Sequence, residues 1–334
     1  MKDPVLSIVI IGRNEGDRLA SCLQSVDSIR AEAELIYVDS ASADGSSQVA
    51  SDFGAQVIVL HGGIQTAARA RNAGWQRALA PYVLFLDGDT ILNQGFPAAA
   101  LKVLESDTAI AAVWGHRREL YPEHSLYNRV LDLDWIYPAG ITDYCGGDVV
   151  MRRSVIAEIE GYDPSLIAGE EPELCRRLRA QGYRIMHIDL PMTKHDLNMM
   201  RFSQYWRRAE RAGHAYAEIS DRFRGSADPM WLQESNRNLL SGGFWIGWLP
   251  VAIIVGALKS LWIIPWLSLL PLLSARSAWK ARYKAPGQTI LLLLYGLHSH
   301  LQQIPILVGQ LKYFLGRDAG EQRKQVEYKH GANA

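Results

Sequence analysis

No excess of charge of either sign marks this sequence. Lys plus Arg and Asp plus Glu are equal, at 35 each in 334 residues, so the formal net charge is zero. The broad basic field of a nucleic-acid-binding protein is absent, and nucleic acid is not an expected partner. Cysteine is scarce: Cys22, Cys145 and Cys175 are odd in number and show no C-x-x-C spacing. That argues against a disulfide framework and a zinc site, and suits a reducing compartment. The opening "MKDPVLSIVIIGRNE" lacks the small-residue cleavage site of a signal peptide, and charge follows its short apolar run, so it reads as a buried strand. After that strand there is no Gly-rich, lysine-bearing phosphate loop, which counts against a sugar nucleotidyltransferase.

Acids are also nearly missing from one long region. From Leu239 to Leu315 the chain is rich in Leu, Ile, Trp and Pro, whereas up to about residue 225 short apolar runs alternate with polar helices. The composition predicts a first domain over 1–225, a linker over 226–238, membrane-associated helices over 239–316 and a polar tail over 317–334.

In the first part, "LSIVIIG" (6–12), "ELIYVD" (34–39), "QVIVL" (56–60) and "YVLFLD" (82–87) are continuous β-rich runs separated by helical stretches. Unbroken apolar runs suit parallel strands covered on both faces, so the pattern predicts an α/β fold with an open, mostly parallel sheet. Ligands of such sheets bind beyond the carboxyl ends of the strands. The segments found there are "GRNE" (12–15), "DSASADGS" (39–46) and "DGDT" (87–90). Each alone is ordinary turn chemistry. Together they bring acids to one edge, and Asp87-Gly88-Asp89 is a pair that hard divalent cations such as Mg²⁺ or Mn²⁺ accept.

"SIVIIGRNE", "YVDSASADGS", "ARARNAG", "LFLDGDT" and "GGDVVMRRSVIAEIEGYDPSLIAGEEPELCRRLRAQGYRI" resemble, in order and spacing, the family-2 glycosyltransferases over roughly residues 5–200. The resemblance implies a GT-A fold and transfer of a sugar from a nucleotide-diphosphate donor with inversion. It implies that Arg13 and Glu15 border base and ribose, that Asp39 contacts the base, and that Arg71 and Asn72 line the nucleotide pocket. Asp87 would lie near the ribose, Asp89 would hold the metal, and His195, after the last strand, would be a further ligand, with His187 as its competitor. Asp148, with Gly146 and Gly147, would face donor sugar and acceptor. The family's usual Gly-Glu-Asp is Gly169-Glu170-Glu171 here, which makes Glu171 the implied catalytic base, one methylene longer than the aspartate. Pro172 fits the first turn of the helix that follows, and Glu170 and Glu173 suit its dipole.

"RFSQYWRRAERAGHAYAEISDRF" (201–223) reads as an amphipathic helix whose Arg207 and Arg208 either meet donor, lipid-carrier or headgroup phosphates or form a solvated face. "LLSGGFWIGWLPVAIIVGAL" (239–258) is long enough to span a bilayer; after Lys259, 261–274 would complete a hairpin and 288–315 would be re-entrant or interfacial. Trp245, Trp248, Trp262 and Trp266 suit interfacial positions, and the cation-rich, acid-free "ARSAWKARYK" (275–284) places that side in the cytoplasm. The expected partners are a nucleotide-diphosphate sugar and a membrane-associated, lipid-linked acceptor, with the catalytic part on the cytoplasmic face of a bacterial-type inner membrane. A catalytically silent membrane scaffold that binds nucleotide is the alternative.

Overall fold

The computed structural model describes residues 3–258 and 263–318. The Lys259 interruption, Trp262, and Arg323 and Lys324 of the tail lie outside the described residues. The chain divides into two compact units, Met1–Leu120 with Trp135–Leu197, and Tyr121–Asp134 with Asn198–Ala334.

The first unit is built on β1 (Leu6–Gly12), β2 (Ala33–Asp39), β3 (Gln56–Val59), β4 (Tyr82–Asp87), β5 (Thr90–Leu92), β6 (Ile110–Glu119), β7 (Gly140–Thr142), β8 (Val149–Arg152) and β9 (Arg184–His195). They form one sheet in the order β3-β2-β1-β4-β8-β6-β9-β5, with β7 also on β9. The first four are parallel, as the unbroken apolar runs predict. Ile8, Val9 and Ile10 are consecutive and all 0% exposed, so both faces of β1 are covered. Beyond β4 the sheet becomes mixed: β8 is antiparallel to β4 and β6, β9 is parallel to β6, and β5 and β7 are antiparallel to β9.

Register fixes where the polar loops emerge. Gly12 stands beside Asp39, and Ile11 beside Asp87, so the three parallel strands end level with one another. Helix Ala67–Arg77 lies directly on this part of the sheet. A Cβ on its Gly74 would be 2.2 Å from Val9 Cγ1, so only glycine allows the close approach. That contact seats Arg71, one turn earlier on the same helix, over the strand ends.

The second unit is helical: Leu126–Asp132, Phe202–Phe223, Leu232–Ala257, Ile263–Lys280, Thr289–Leu301 and Gln303–Asp318. Helices Phe202–Phe223 and Gln303–Asp318 cross through paired glycines. A Cβ on Gly213 would be 2.0 Å from the Ile306 carbonyl oxygen, and one on Gly309 would be 1.9 Å from that of Glu210. The Trp248 and Trp266 indoles each donate to the other's backbone carbonyl, at 3.3 and 3.0 Å.

The helix expected over 239–258 begins at Leu232, so the second half of the segment read as a linker is helical. Segment 288–315 forms two helices meeting at Gln302, and Thr289–Gly316 is, with Leu232–Ala257, one of two stretches among the described residues long and apolar enough to cross a membrane by length and composition. The described part of 261–274 lies in Ile263–Lys280, which is not one of the two.

Candidate active site

The carboxyl ends of β1, β2 and β4 carry the first group of residues. Loops 13–16 and 39–46 are stapled together: Asn14 N donates to Ser42 Oγ at 2.9 Å, Ala43 N to Asn14 Oδ1 at 2.8 Å, and Gly16 N to Asp44 Oδ2 at 2.9 Å. Asp39 is 1% exposed and organises this corner. Its carboxylate accepts from the Tyr37 hydroxyl at 3.3 Å, the Ser42 amide at 3.1 Å, the Ser47 hydroxyl at 2.8 Å and the Ser42 hydroxyl. Burial and the Asp39 charge push the Tyr37 phenol well above its usual range, so it remains a donor. Glu15 pairs with Arg18 at 2.9 Å and lies beside the turn after β4, where a Cβ on Gly88 would be 3.2 Å from its Cγ. Arg13 is partly buried in the same loop.

The second group is a network of carboxylates held by two arginines. Arg71, 2% exposed, reaches Asp87 at 2.9 Å, Glu171 at 3.1 Å and Glu170 at 3.2 Å, and lies over the Tyr162 ring at 5.6 Å. Burial opposes its charge, but Glu171 and Asp87 outweigh that, and the guanidinium stays protonated. Arg117 contacts the other Asp87 oxygen at 3.4 Å and Asp148 at 3.3 Å, and lies 5.2 Å over the Trp135 ring. Asp148 is 0% exposed; it accepts from the Asp87 amide at 3.1 Å and the Thr193 hydroxyl at 2.8 Å. Burial pushes its carboxyl above the ordinary range, against the pull of Arg117 and with the help of Asp87.

Glu170, Glu171 and Glu173 begin helix Glu170–Ala180, which follows Gly169 in the left-handed conformation, φ 86°. Pro172 occupies the first turn, where its missing N–H has no helical partner to lose. The three glutamates have different surroundings. Glu170 and Glu173 are 6% and 5% exposed at the side chain, one turned to Arg71 and the other to Arg177 at 2.7 Å. Glu171 keeps 20% exposure and is the only one of the three with an open approach. Gly147 makes room here, since a Cβ on it would stand 2.2 Å from Arg71 Nη2 and 3.2 Å from Glu171 Oε1.

The third group is Asp89 with His195, Oδ2 to Nε2 at 3.0 Å, with side chains 1% and 5% exposed. His195 does not follow the last strand, as the sequence suggested; it is the final residue of β9, and its pairing with Thr90 of β5 brings it to Asp89. Its ring meets Trp135 edge-on at 5.2 Å. His187 packs elsewhere, 4.2 Å from the Trp114 ring and 4.8 Å from that of His116, with Nδ1 3.0 Å from the Pro138 carbonyl oxygen.

One expected residue, Asn72, is turned away from Arg71. Asn72 is about 100° around its helix from Arg71, and its amide is taken up by the Tyr162 backbone at 2.7 and 2.9 Å and the Trp75 indole at 2.9 Å. Arg207 and Arg208 belong to helix Phe202–Phe223 of the second unit, where Arg207 donates to the Ser203 carbonyl at 3.3 Å and Arg208 acts electrostatically on Asp134. The sequence reading missed Arg117, Thr193 and Trp135. The rule of polar residues after an apolar strand finds Arg117 once "IAAVWG" is read as strand.

The cluster gathers Asp87, Asp89, Asp148, Glu170 and Glu171 around Arg71, Arg117 and His195, an acidic balance suited to a cation. Among the described residues no three His, Cys, Asp or Glu side chains gather tightly enough to hold a metal alone. Asp89 and His195 place an oxygen and a nitrogen donor 3.0 Å apart, two ligand types that could contribute to holding a divalent ion.

The glycosyl transferase family 2 profile matches residues 7–160, the segment that builds most of this cluster. The chain carries a glycosyl transferase family 2 domain. Glycosyltransferase AglE of Haloferax volcanii is 22% identical over 196 residues, 54% of this chain and 64% of that protein. The pre-mycofactocin glycosyltransferase of Mycobacterium tuberculosis is 25% identical over 269 residues, 75% of this chain and 53% of that one. The chain thus spans between half and two thirds of the length of these two relatives. Among solved structures, mannosyltransferase PcManGT from Pyrobaculum calidifontis, in complex with GDP-Man and Mn²⁺, superposes with a TM-score of 0.61 at 18% identity, covering 94% of this chain and 88% of that one. That similarity shows a shared fold, of GT-A type.

Proposed function

We propose that this chain is an inverting glycosyltransferase that moves one sugar from a nucleotide-diphosphate donor to a membrane-associated, lipid-linked saccharide in envelope or exopolysaccharide synthesis, on the cytoplasmic side of the membrane. The observation that carries the reading is the arrangement of the Arg71 network. It joins a partly open carboxylate, Glu171, to the Asp87–Asp89 strand end, in a fold shared with PcManGT, which is in complex with GDP-Man and Mn²⁺.

In this reading Glu171 removes the proton from the acceptor hydroxyl as that oxygen attacks the anomeric carbon. Arg71 fixes the Glu171 carboxylate, and Asp87 and Glu170 fix Arg71 in turn. Asp148 and Arg117 hold Asp87 in position, through its amide and its second oxygen. The 13–16 and 39–46 loops border the base and ribose, with Asp39 shaping the corner the base enters. Mg²⁺ or Mn²⁺ at Asp89 and His195 would neutralise charge developing on the departing nucleoside diphosphate. The exposed apolar helices of the second unit support a membrane-bound acceptor, since Leu240, Ile253 and Leu258 are 77, 64 and 74% exposed.

The test incubates membranes containing the full chain with a panel of labelled nucleotide sugars, with Mg²⁺, Mn²⁺ or chelator. Label should move into lipid-extractable material with metal and stop with chelator. Transfer only to soluble acceptors overturns the acceptor assignment, transfer indifferent to chelator overturns the metal assignment, and no transfer from any donor leaves the scaffold reading.

A further inference from the structure

Residues 235–317 contain eight Lys and Arg and no Asp or Glu, so nothing within that stretch neutralises its cations. Their distribution on helix Ile263–Lys280 and the turn after it is one-sided. The inner face packs on helix Thr289–Leu301: Ser274 and Ala278 are each 6% exposed, Ser277 Oγ lies 3.1 Å from His300 Nε2, and a Cβ on Gly296 would be 2.1 Å from the Ser274 carbonyl oxygen.

The outer face changes character along its length. Ile264, Leu267 and Leu272 come first, at 66, 48 and 65% exposed. Arg276, Trp279 and Lys280 follow at helical spacing from Leu272, and then Arg282 and Tyr283, all of them exposed. Trp279 and Tyr283 are 64 and 57% exposed, far more than large rings normally keep in water. The Arg282 guanidinium lies 4.4 Å over the Trp279 ring and donates to the Trp279 carbonyl at 2.9 Å. Lys284 is the exception: it turns inward to the Leu133 carbonyl at 2.6 Å and the Tyr295 hydroxyl at 3.3 Å. The outward surface thus passes from apolar side chains to amphipathic rings and then to three cations, the order a bilayer presents from hydrocarbon to headgroup.

We propose that this surface docks on the anionic headgroups of a phospholipid leaflet, with Trp279 and Tyr283 at headgroup depth and Arg276, Lys280 and Arg282 on lipid phosphates. The occupant follows from charge complementarity: three outward cations that form no ion pair with an acid among the described residues select an anionic layer over a zwitterionic one. The proposal rests on the membrane-association part of the proposed function and adds to it a lipid preference with named residues.

The test presents the purified full chain, diluted from detergent, to preformed vesicles of phosphatidylcholine alone or with one part in four phosphatidylglycerol, and measures co-flotation at low and high salt. The anionic lipid should increase partitioning, and high salt should remove the increase by screening the cations. The combined variant Arg276→Gln, Lys280→Gln, Arg282→Gln should lose roughly fivefold per cation, about a hundredfold, of the gain from phosphatidylglycerol. Its binding to phosphatidylcholine should be unchanged. The salt response of the unmodified chain keeps the test decisive if that variant does not fold. Equal partitioning of the unmodified chain into both vesicles overturns the headgroup preference and leaves membrane association standing. A variant that keeps the full phosphatidylglycerol gain overturns the residue assignment, and binding to neither vesicle overturns membrane association as well.

Discussion

Gly146→Ala and Gly147→Ala are neighbouring, chemically identical changes with opposite expected outcomes. A Cβ at 147 would stand 2.2 Å from Arg71 Nη2, whereas a Cβ at 146 meets nothing within 4 Å. Neither glycine has the positive φ that would penalise alanine by itself. Ordinary contact begins near 3.4 Å, so the guanidinium must retreat by about 1.2 Å. Arg71 is 2% exposed and cannot make that move while keeping Asp87 at 2.9 Å together with Glu170 and Glu171. Losing one charge-assisted bond in this setting costs about 1.5–3 kcal/mol. Breaking the whole buried pair would cost roughly 3–5 kcal/mol. Chemical denaturation of the detergent-solubilised chain should therefore show Gly147→Ala destabilised by about 1.5–3 kcal/mol. Gly146→Ala should stay within about 0.5 kcal/mol of the unmodified protein. Donor binding, measured by calorimetry, should weaken in the first and hold in the second. Equal behaviour of the two variants would refute the claim that Arg71 is locked by this loop.

Three further outcomes follow from the same geometry. Arg117→Ala removes the cation shared by Asp87 and the fully buried Asp148 and should destabilise the protein by roughly 3 kcal/mol in denaturant unfolding, with Arg117→Lys recovering part; no change would remove Arg117 from the network. Asp148, raised above its ordinary 3.8 by burial, holds its proton more tightly when folded, so its contribution is full below the unfolded pKa and declines as pH rises through the folded value. The stability advantage of the unmodified protein over Asp148→Asn should shrink with rising pH across that range, and a constant difference contradicts the assignment. Gly309→Ala drives a methyl to 1.9 Å from the Glu210 carbonyl oxygen and should cost about 3 kcal/mol, whereas Gly316→Ala, with nothing within 4 Å, should be near neutral.

The sequence makes some of this legible and conceals the rest for physical reasons. β1 to β4 are visible because parallel strands covered on both faces are unbroken apolar runs ending in turn residues. The strand-end rule then brings Asp39 and Asp87 to one edge, as the registers show, with Glu15 beside the turn after β4. β5 and β7 have three residues each, too few for any periodicity to register. β9 includes Pro191 and a polar end, and its pairing with β6 shifts register several times, so His195 reads as a residue beyond the strand. The resemblance singles out Glu171, but only the fold separates it from Glu170 and Glu173: all three meet an arginine, and Glu171 alone of the three keeps 20% of its side chain exposed. Residues 121–134 fall with the second unit, a grouping that depends on contacts far apart in sequence.

Glu171→Gln asks whether Glu171 is the base of a sugar transfer. Glutamine keeps the length of the side chain and an oxygen for Arg71 but cannot take a proton. Donor binding and sugar transfer should be measured on the same preparation, with Glu171→Asp alongside to ask whether the acceptor site needs the longer arm. Donor affinity should stay close to that of the unmodified protein, and transfer should fall by roughly a hundredfold to ten-thousandfold. Transfer by Glu171→Gln at the unmodified rate, with the donor bound normally, would contradict that role.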